Sequence, residues 1–230
     1  MTQKIILVGF AGTLIKGDMI EEANHFRSQV LQRALPTKLE HSDPEPLYKV
    51  NRDFVEKLTG LTSDVKIRYR ENDLDFLNLS GEQVQNQIST NLFQIGMYMV
   101  AKKYASAMHP TGFMEQLLRI RGLGYKLAII SGVRTDIISG VLAITQCPVR
   151  FDHIYGQPPI LGYENQQKDV ASLSAFGTVE YVLGDKMSDL QRKAPNTQSI
   201  YVTWGHPAGG EEKFADYTVH DPKELERIIK

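Results

Sequence analysis

The chain has 230 residues, of which 42% are hydrophobic and 23% charged, with a formal net charge of -1. This is the balance of an ordinary globular protein long enough for a substantial core, and it excludes the basic field of a nucleic-acid binder. A single cysteine, Cys147, excludes an internal disulfide, and no apolar run approaches the roughly 20 residues that span a bilayer. The N-terminus lacks a signal-peptide pattern, so a cytoplasmic location without a membrane partner is expected.

The first element is Lys4-Ile5-Ile6-Leu7-Val8, an apolar, partly β-branched run of the kind that forms a buried parallel strand. It leads into Gly9-Phe10-Ala11-Gly12-Thr13. From residue 18 the pattern becomes helical. Ile20, Ala23, Phe26, Val30 and Leu31 space one amphipathic helix. Leu47, Val50, Phe54 and Leu58 space a second, after Pro44 and Pro46, and a short helical segment is expected over 63–70. Val84, Ile88, Leu92, Ile95 and Met99 space a long third. This all-helical block ends at His109-Pro110.

Strands and helices then alternate. Phe113, Leu117, Leu118 and Ile120 mark a helix ended by Gly122 and Gly124, and a strand follows over 126–130. Ile137, Ile138, Val141 and Leu142 mark another helix, and strands are expected over 179–183 and 198–203. A last helix begins with Asp221 as N-cap and Pro222 in its first turn, with Leu225 and Ile228 facing inward. The expected fold class is α/β: a Rossmann-like parallel sheet built from 1–17 and 109–230, with a helical cap inserted over 18–108.

In open parallel sheets, ligands bind beyond the carboxyl ends of the strands. The residues expected there are Gly12 and Thr13 after the first strand, Ser131 and Gly132 after the second, and Asp185 and Asp189 after the third; Lys168 lies in a helical stretch upstream. Backbone amides, a hydroxyl and a lysine suit a phosphate, and the two carboxylates are hard oxygen ligands of the type Mg²⁺ takes.

In this order the residues resemble the haloacid dehalogenase-like (HAD) superfamily of phosphohydrolases, along nearly the whole chain. The first motif there is an apolar strand followed by DxDGT[LV], and the sequence here reads ILVGFAGTLI. The second is a strand ending in Ser or Thr, here LAIISG with Ser131; the third is a lysine, matched by Lys168; the fourth is GDxxxD, here GDKMSD. The resemblance implies a C1-type helical cap, phosphate binding by Gly12, Thr13, Ser131, Gly132 and Lys168, and Mg²⁺ at Asp185 and Asp189.

Motif one departs from that pattern. Gly9 stands where the superfamily has its nucleophilic aspartate, and Ala11 where it has its acid/base aspartate. Neither can attack phosphorus or move a proton. No catalytic residue is therefore assigned, and Mg²⁺ is expected to be weakly held at Asp185 and Asp189. Of the other residues nearby in sequence or pattern, Asp18 is too far along the chain, Thr13 lacks an evident base, and His206 sits in a Gly-rich loop. The expected function is that of a pseudoenzyme: a degenerate phosphatase that binds a phosphorylated small molecule, phosphate or sulfate, or a protein partner. Two alternatives stay open: an active phosphomonoester hydrolase using a non-standard nucleophile or water, and an enzyme carrying an engineered Gly9. A basic stripe of Lys66, Arg68 and Arg70 is a further candidate for meeting an anion.

Overall fold

The structure, a computed structural model, describes residues 3–34, 81–157, 176–190, 196–205 and 209–230, and the statements below concern those residues. The second expected helix, the segment 63–70 with Lys66, Arg68 and Arg70, and the candidates Lys168 and His206 lie outside them. Side chains are described for 3–29 and from 92 onward in the two long helices.

Six parallel strands form one sheet: β1 (Lys4–Gly9), β2 (Lys126–Arg134), β3 (His153–Gln157), β4 (Thr178–Gly184), β5 (Gln198–Val202) and β6 (Tyr217–Val219), in the order β3-β2-β1-β4-β5-β6. β1 lies at the centre, as its sequence requires. Ile5, Ile6, Leu7 and Val8 are all fully buried, each burial worth about 1.5–3 kcal/mol. Their side chains alternate between two cores: Ile6 and Val8 join the larger cluster, Ile5 and Leu7 the smaller.

The described helices are α1 (Gly17–Ala34), α2 (Gly81–Tyr104), α3 (Phe113–Gly122), α4 (Thr135–Ile144), the short α5 (Met187–Leu190) and α6 (Leu225–Ile228). α1 and α2 pack directly on each other. Gly96 on α2 permits this approach, because a β-carbon there would lie 2.8 Å from the Ala23 carbonyl oxygen on α1. Their apolar faces are continuous with the sheet's larger core, which includes Ile20, Ala23, Met97, Val100 and Ala101 beside Ile6 and Val8.

Two ties anchor the ends of this helical block. The Lys16 amide donates to the Met108 carbonyl at 2.9 Å, joining the outgoing and returning chain. His109 is buried just beyond, with Nδ1 3.0 Å from the Leu14 carbonyl and Nε2 3.1 Å from Thr145 Oγ1. At the other end of the chain, the Arg119 guanidinium donates to the Leu225 and Ile229 carbonyls and holds α6 against α3.

Several details differ from the sequence reading. β3 and β6 are absent from it, because one is five residues with polar members and the other only three. β2 continues through Ser131 and Gly132 to Arg134, with an irregular register after Ile130. Leu118 and Met99 are exposed rather than inward. The last helical segment opens as a 3₁₀ turn, Pro222–Glu224, with a capping box on Asp221 and Glu224, and continues into α6, where Leu225 is fully buried and Ile228 partly buried; Ile229, just past the helix, is fully buried.

Candidate functional site

The strand order reverses between β1 and β4: the chain runs outward to β2 and β3 on one side, then crosses to β4, β5 and β6. At such a switch point the loops beyond neighbouring strands diverge and open a crevice. Here the loop after β1 carries Phe10 to Thr13, and the loop after β4 carries Asp185 to Asp189.

The β1 loop is a closed turn. Leu14 and Ile15 amides donate to the Phe10 carbonyl, at 3.0 and 2.9 Å. The Gly12 amide donates to Ile15 O at 2.9 Å, so it is directed into the loop rather than outward as an anion donor. Gly12 has φ +87°, a conformation that favours glycine. Thr13 is fully buried, and its hydroxyl donates to Asp185 Oδ1 at 3.2 Å. Trp204, in the loop after β5, donates from Nε1 to the Thr13 carbonyl at 2.9 Å, and its ring packs 5.2 Å from that of Phe113. The Gly12–Thr13 corner is thus built into the protein interior by Asp185, Trp204 and Gly205, whose missing β-carbon leaves room for the Asp185 side chain.

Beside this corner lies a cavity of about 430 Å³. Ala11, Ser131, Gly132, Asp189 and Lys186 line its sheet side. Asn24 and Arg27 of α1 and Phe93 and Gln94 of α2 line the helical side. Of the residues singled out from sequence, the cavity therefore brings together Ala11, Ser131, Gly132 and Asp189. It does not include Gly12, Thr13 or Asp185, which form its supporting layer. Ser131 Oγ accepts the Val133 amide at 3.0 Å and so shapes its own turn; the N-cap position of α4 is Arg134, whose guanidinium pairs with Asp136 at 3.1 Å.

Asp185 and Asp189 are the candidate ligands for Mg²⁺. Asp189 lines the cavity, whereas Asp185 is fully buried beneath Gly12 and accepts the Thr13 hydroxyl. Among the described residues, no three His, Cys, Asp or Glu side chains form a group able to hold a metal ion.

Four polar lining residues were not singled out from sequence: Asn24, Arg27, Gln94 and Lys186. A signal for three of them exists. Asn24 and Arg27 fall four and seven residues after Ile20, on the helix face that Ile20 and Ala23 bury. Gln94 precedes Met97 and Ala101 by three and seven residues, and both of those are fully buried. Polar residues at buried-face positions are worth noticing.

A central parallel strand, a crevice at the switch point, an aspartate-bearing loop after the fourth strand and a helical pair over it define a HAD-like α/β fold. Solved structures match it along the full chain. A hydrolase of the haloacid dehalogenase-like family from Streptococcus pneumoniae is 17% identical, with a TM-score of 0.60, covering 100% of this chain and 99% of that one. A predicted phosphatase from Clostridium acetobutylicum is 18% identical, with a TM-score of 0.62, covering 100% and 98%. A β-phosphoglucomutase from Clostridium difficile is 17% identical, with a TM-score of 0.56, covering 99% and 96%. Such likenesses show the fold alone. Comparison with known family profiles found no match, and comparison with curated proteins found none either. Among the described residues, no helix is long and apolar enough to cross a membrane.

Proposed function

We propose that this protein binds a phosphorylated ligand in the cavity between the sheet and the α1–α2 pair, without the aspartyl-phosphate chemistry of a HAD phosphatase. α1 and α2 act as a cap over the site. The carrying observation is Ala11. It lines the cavity at the tip of the β1 loop, and Gly9 precedes it on the strand, so neither motif-one position presents a carboxylate.

Two physical consequences support binding over turnover. Phosphomonoester hydrolysis requires accelerations of up to about 10²¹-fold, and a site lacking both nucleophile and acid/base forfeits most of that. Two missing carboxylates also remove repulsion: each would oppose a phosphate charge about 4 Å away by roughly 4 kcal/mol at an effective dielectric of about 20. Arg27 and Lys186 bring positive charge to the cavity, and Ser131 and Gly132 line its floor. The phosphate is therefore held chiefly by cations and hydrogen-bond donors, with Asp185 serving the loop and any Mg²⁺ dependence weak.

Titration calorimetry with inorganic phosphate, with and without Mg²⁺, tests this reading. Binding that changes little with Mg²⁺ is expected, and strict metal dependence overturns it. A chromogenic aryl phosphate is the second arm. Turnover by the unmodified chain that survives changes at Gly9 and Ala11 favours a non-standard nucleophile instead.

A further inference from the structure

Gln94 is the unexplained group in this cavity. The residue is 3% exposed, yet among the described residues its Oε1 has no hydrogen-bond partner. Leaving such an acceptor unsatisfied is destabilising. The residue is not loosely placed. It sits two positions before Gly96, where α2 meets the backbone of α1 at Ala23, so the helix carrying it cannot shift far from α1. Asn24 and Arg27 occupy the same helical wall.

We propose that Gln94 is a specificity-determining residue: its Oε1 accepts a hydrogen bond from a neutral hydroxyl on the organic part of the ligand. The inference rests on the phosphate reading above and adds the class of compound, a hydroxylated phosphate monoester. An amide oxygen accepts but carries no charge, and Arg27 and Lys186 line the same cavity, so an ammonium in the ligand is disfavoured. Phe10, Ile20, Phe93 and Val133 supply apolar wall for a short carbon chain between the two polar ends. Gln94 Oε1 is already buried in the free protein, so a purely alkyl ligand leaves it without a donor, whereas a hydroxylated one satisfies it once the amide turns toward the cavity. A site built to hydrogen-bond a hydroxyl discriminates strongly against the analogue lacking it.

The test uses the full-length protein and ω-hydroxyalkyl phosphates of two, three and four carbons, beside the matching alkyl phosphates and inorganic phosphate. Affinities are read by calorimetry. At least one hydroxylated ester is expected to bind about ten-fold or more tightly than its alkyl counterpart, the effect of about 1.4 kcal/mol at a buried acceptor. Gln94→Leu should erase that preference. Because it removes an unsatisfied buried acceptor, the same variant should keep or raise the melting temperature of the free protein. A fall in melting temperature together with an unchanged preference would mean that Gln94 is structural, and overturns the proposal. Equal affinities for every ester pair, with phosphate still bound, overturn this proposal alone. No binding of any probe, phosphate included, overturns the phosphate reading and this inference with it.

Discussion

Gly12 and Asp185 occupy one shared space: a β-carbon on Gly12 would fall inside the Asp185 carboxylate. The loops after β1 and β4 are therefore a single packed unit, closed by the Thr13 hydroxyl on Asp185 Oδ1. This contact gives Asp185 a structural task that does not depend on any metal. Gly12→Ala meets both that overlap and an unfavourable φ of +87°, so it should lower stability by about 2 kcal/mol or more. Gly132→Ala is the comparison. Nothing lies within 4 Å of a β-carbon there, and its effect should stay within about 0.5 kcal/mol. Urea unfolding of both variants measures the difference.

Restoring a carboxylate at position 9 meets a smaller obstacle. A β-carbon on Gly9 would lie 2.7 Å from Thr13 Oγ1 and 3.2 Å from Thr13 Cβ. Thr13 is β-branched, so it cannot turn away freely. Gly9→Asp should therefore cost about 1 kcal/mol, and part of that loss should be recovered in Gly9→Asp/Thr13→Ser relative to Thr13→Ser alone. Urea midpoints for the four proteins form the cycle. Aryl phosphatase activity in Gly9→Asp/Ala11→Asp should rise further when Thr13→Ser is added. No gain in either measurement would show that Thr13 already accommodates the new side chain.

Trp204 is the chain's one tryptophan, and its Nε1 holds the Thr13 carbonyl. Trp204→Phe keeps an aromatic ring beside Phe113 but removes that donor. It should destabilise the protein by about 1 kcal/mol or slightly more, from the lost hydrogen bond and reduced packing. In the unmodified protein, Trp204 emission should respond when inorganic phosphate is titrated in. Thermal unfolding and fluorescence titration check the two effects.

His109 makes stability depend on pH. Burial is the largest influence on its imidazole and holds the pKa below the ordinary 6.5, with Lys16 acting in the same direction and the Leu14 hydrogen bond opposing. The Leu14 carbonyl can only accept, so Nδ1 carries the proton of the neutral ring. Between its lowered folded value and 6.5, the unfolded chain binds more protons at this residue. The contribution of His109 to stability is then fully present above pH 6.5 and falls as pH drops through that window. Urea midpoints at pH 7.5, 6.5, 5.5 and 5.0 should decline, and His109→Gln should flatten the part of the decline due to this residue.

Much of the architecture was legible in the residues themselves. The uninterrupted Ile5–Val8 run requires burial on both sides, which places β1 at the sheet centre, and alternation of apolar runs with helical spacing predicts a parallel sheet. The Asp221–Glu224 capping box follows from local chemistry. The absence of carboxylates at positions 9 and 11 needs no coordinates at all. Other features depend on groups distant in the chain. Thr13 lies 172 positions from Asp185, with Gly12 beside it, and only the pairing of β1 with β4 turns Gly12 into a space for a carboxylate and Thr13 into its donor. β3 and β6 are too short and mixed to declare themselves, and form because a neighbouring strand offers its free edge. The cavity wall carrying Gln94 likewise exists because Gly96 lets two helices meet. Local patterns record what a segment must bury; which polar groups end up facing one another is decided by tertiary packing.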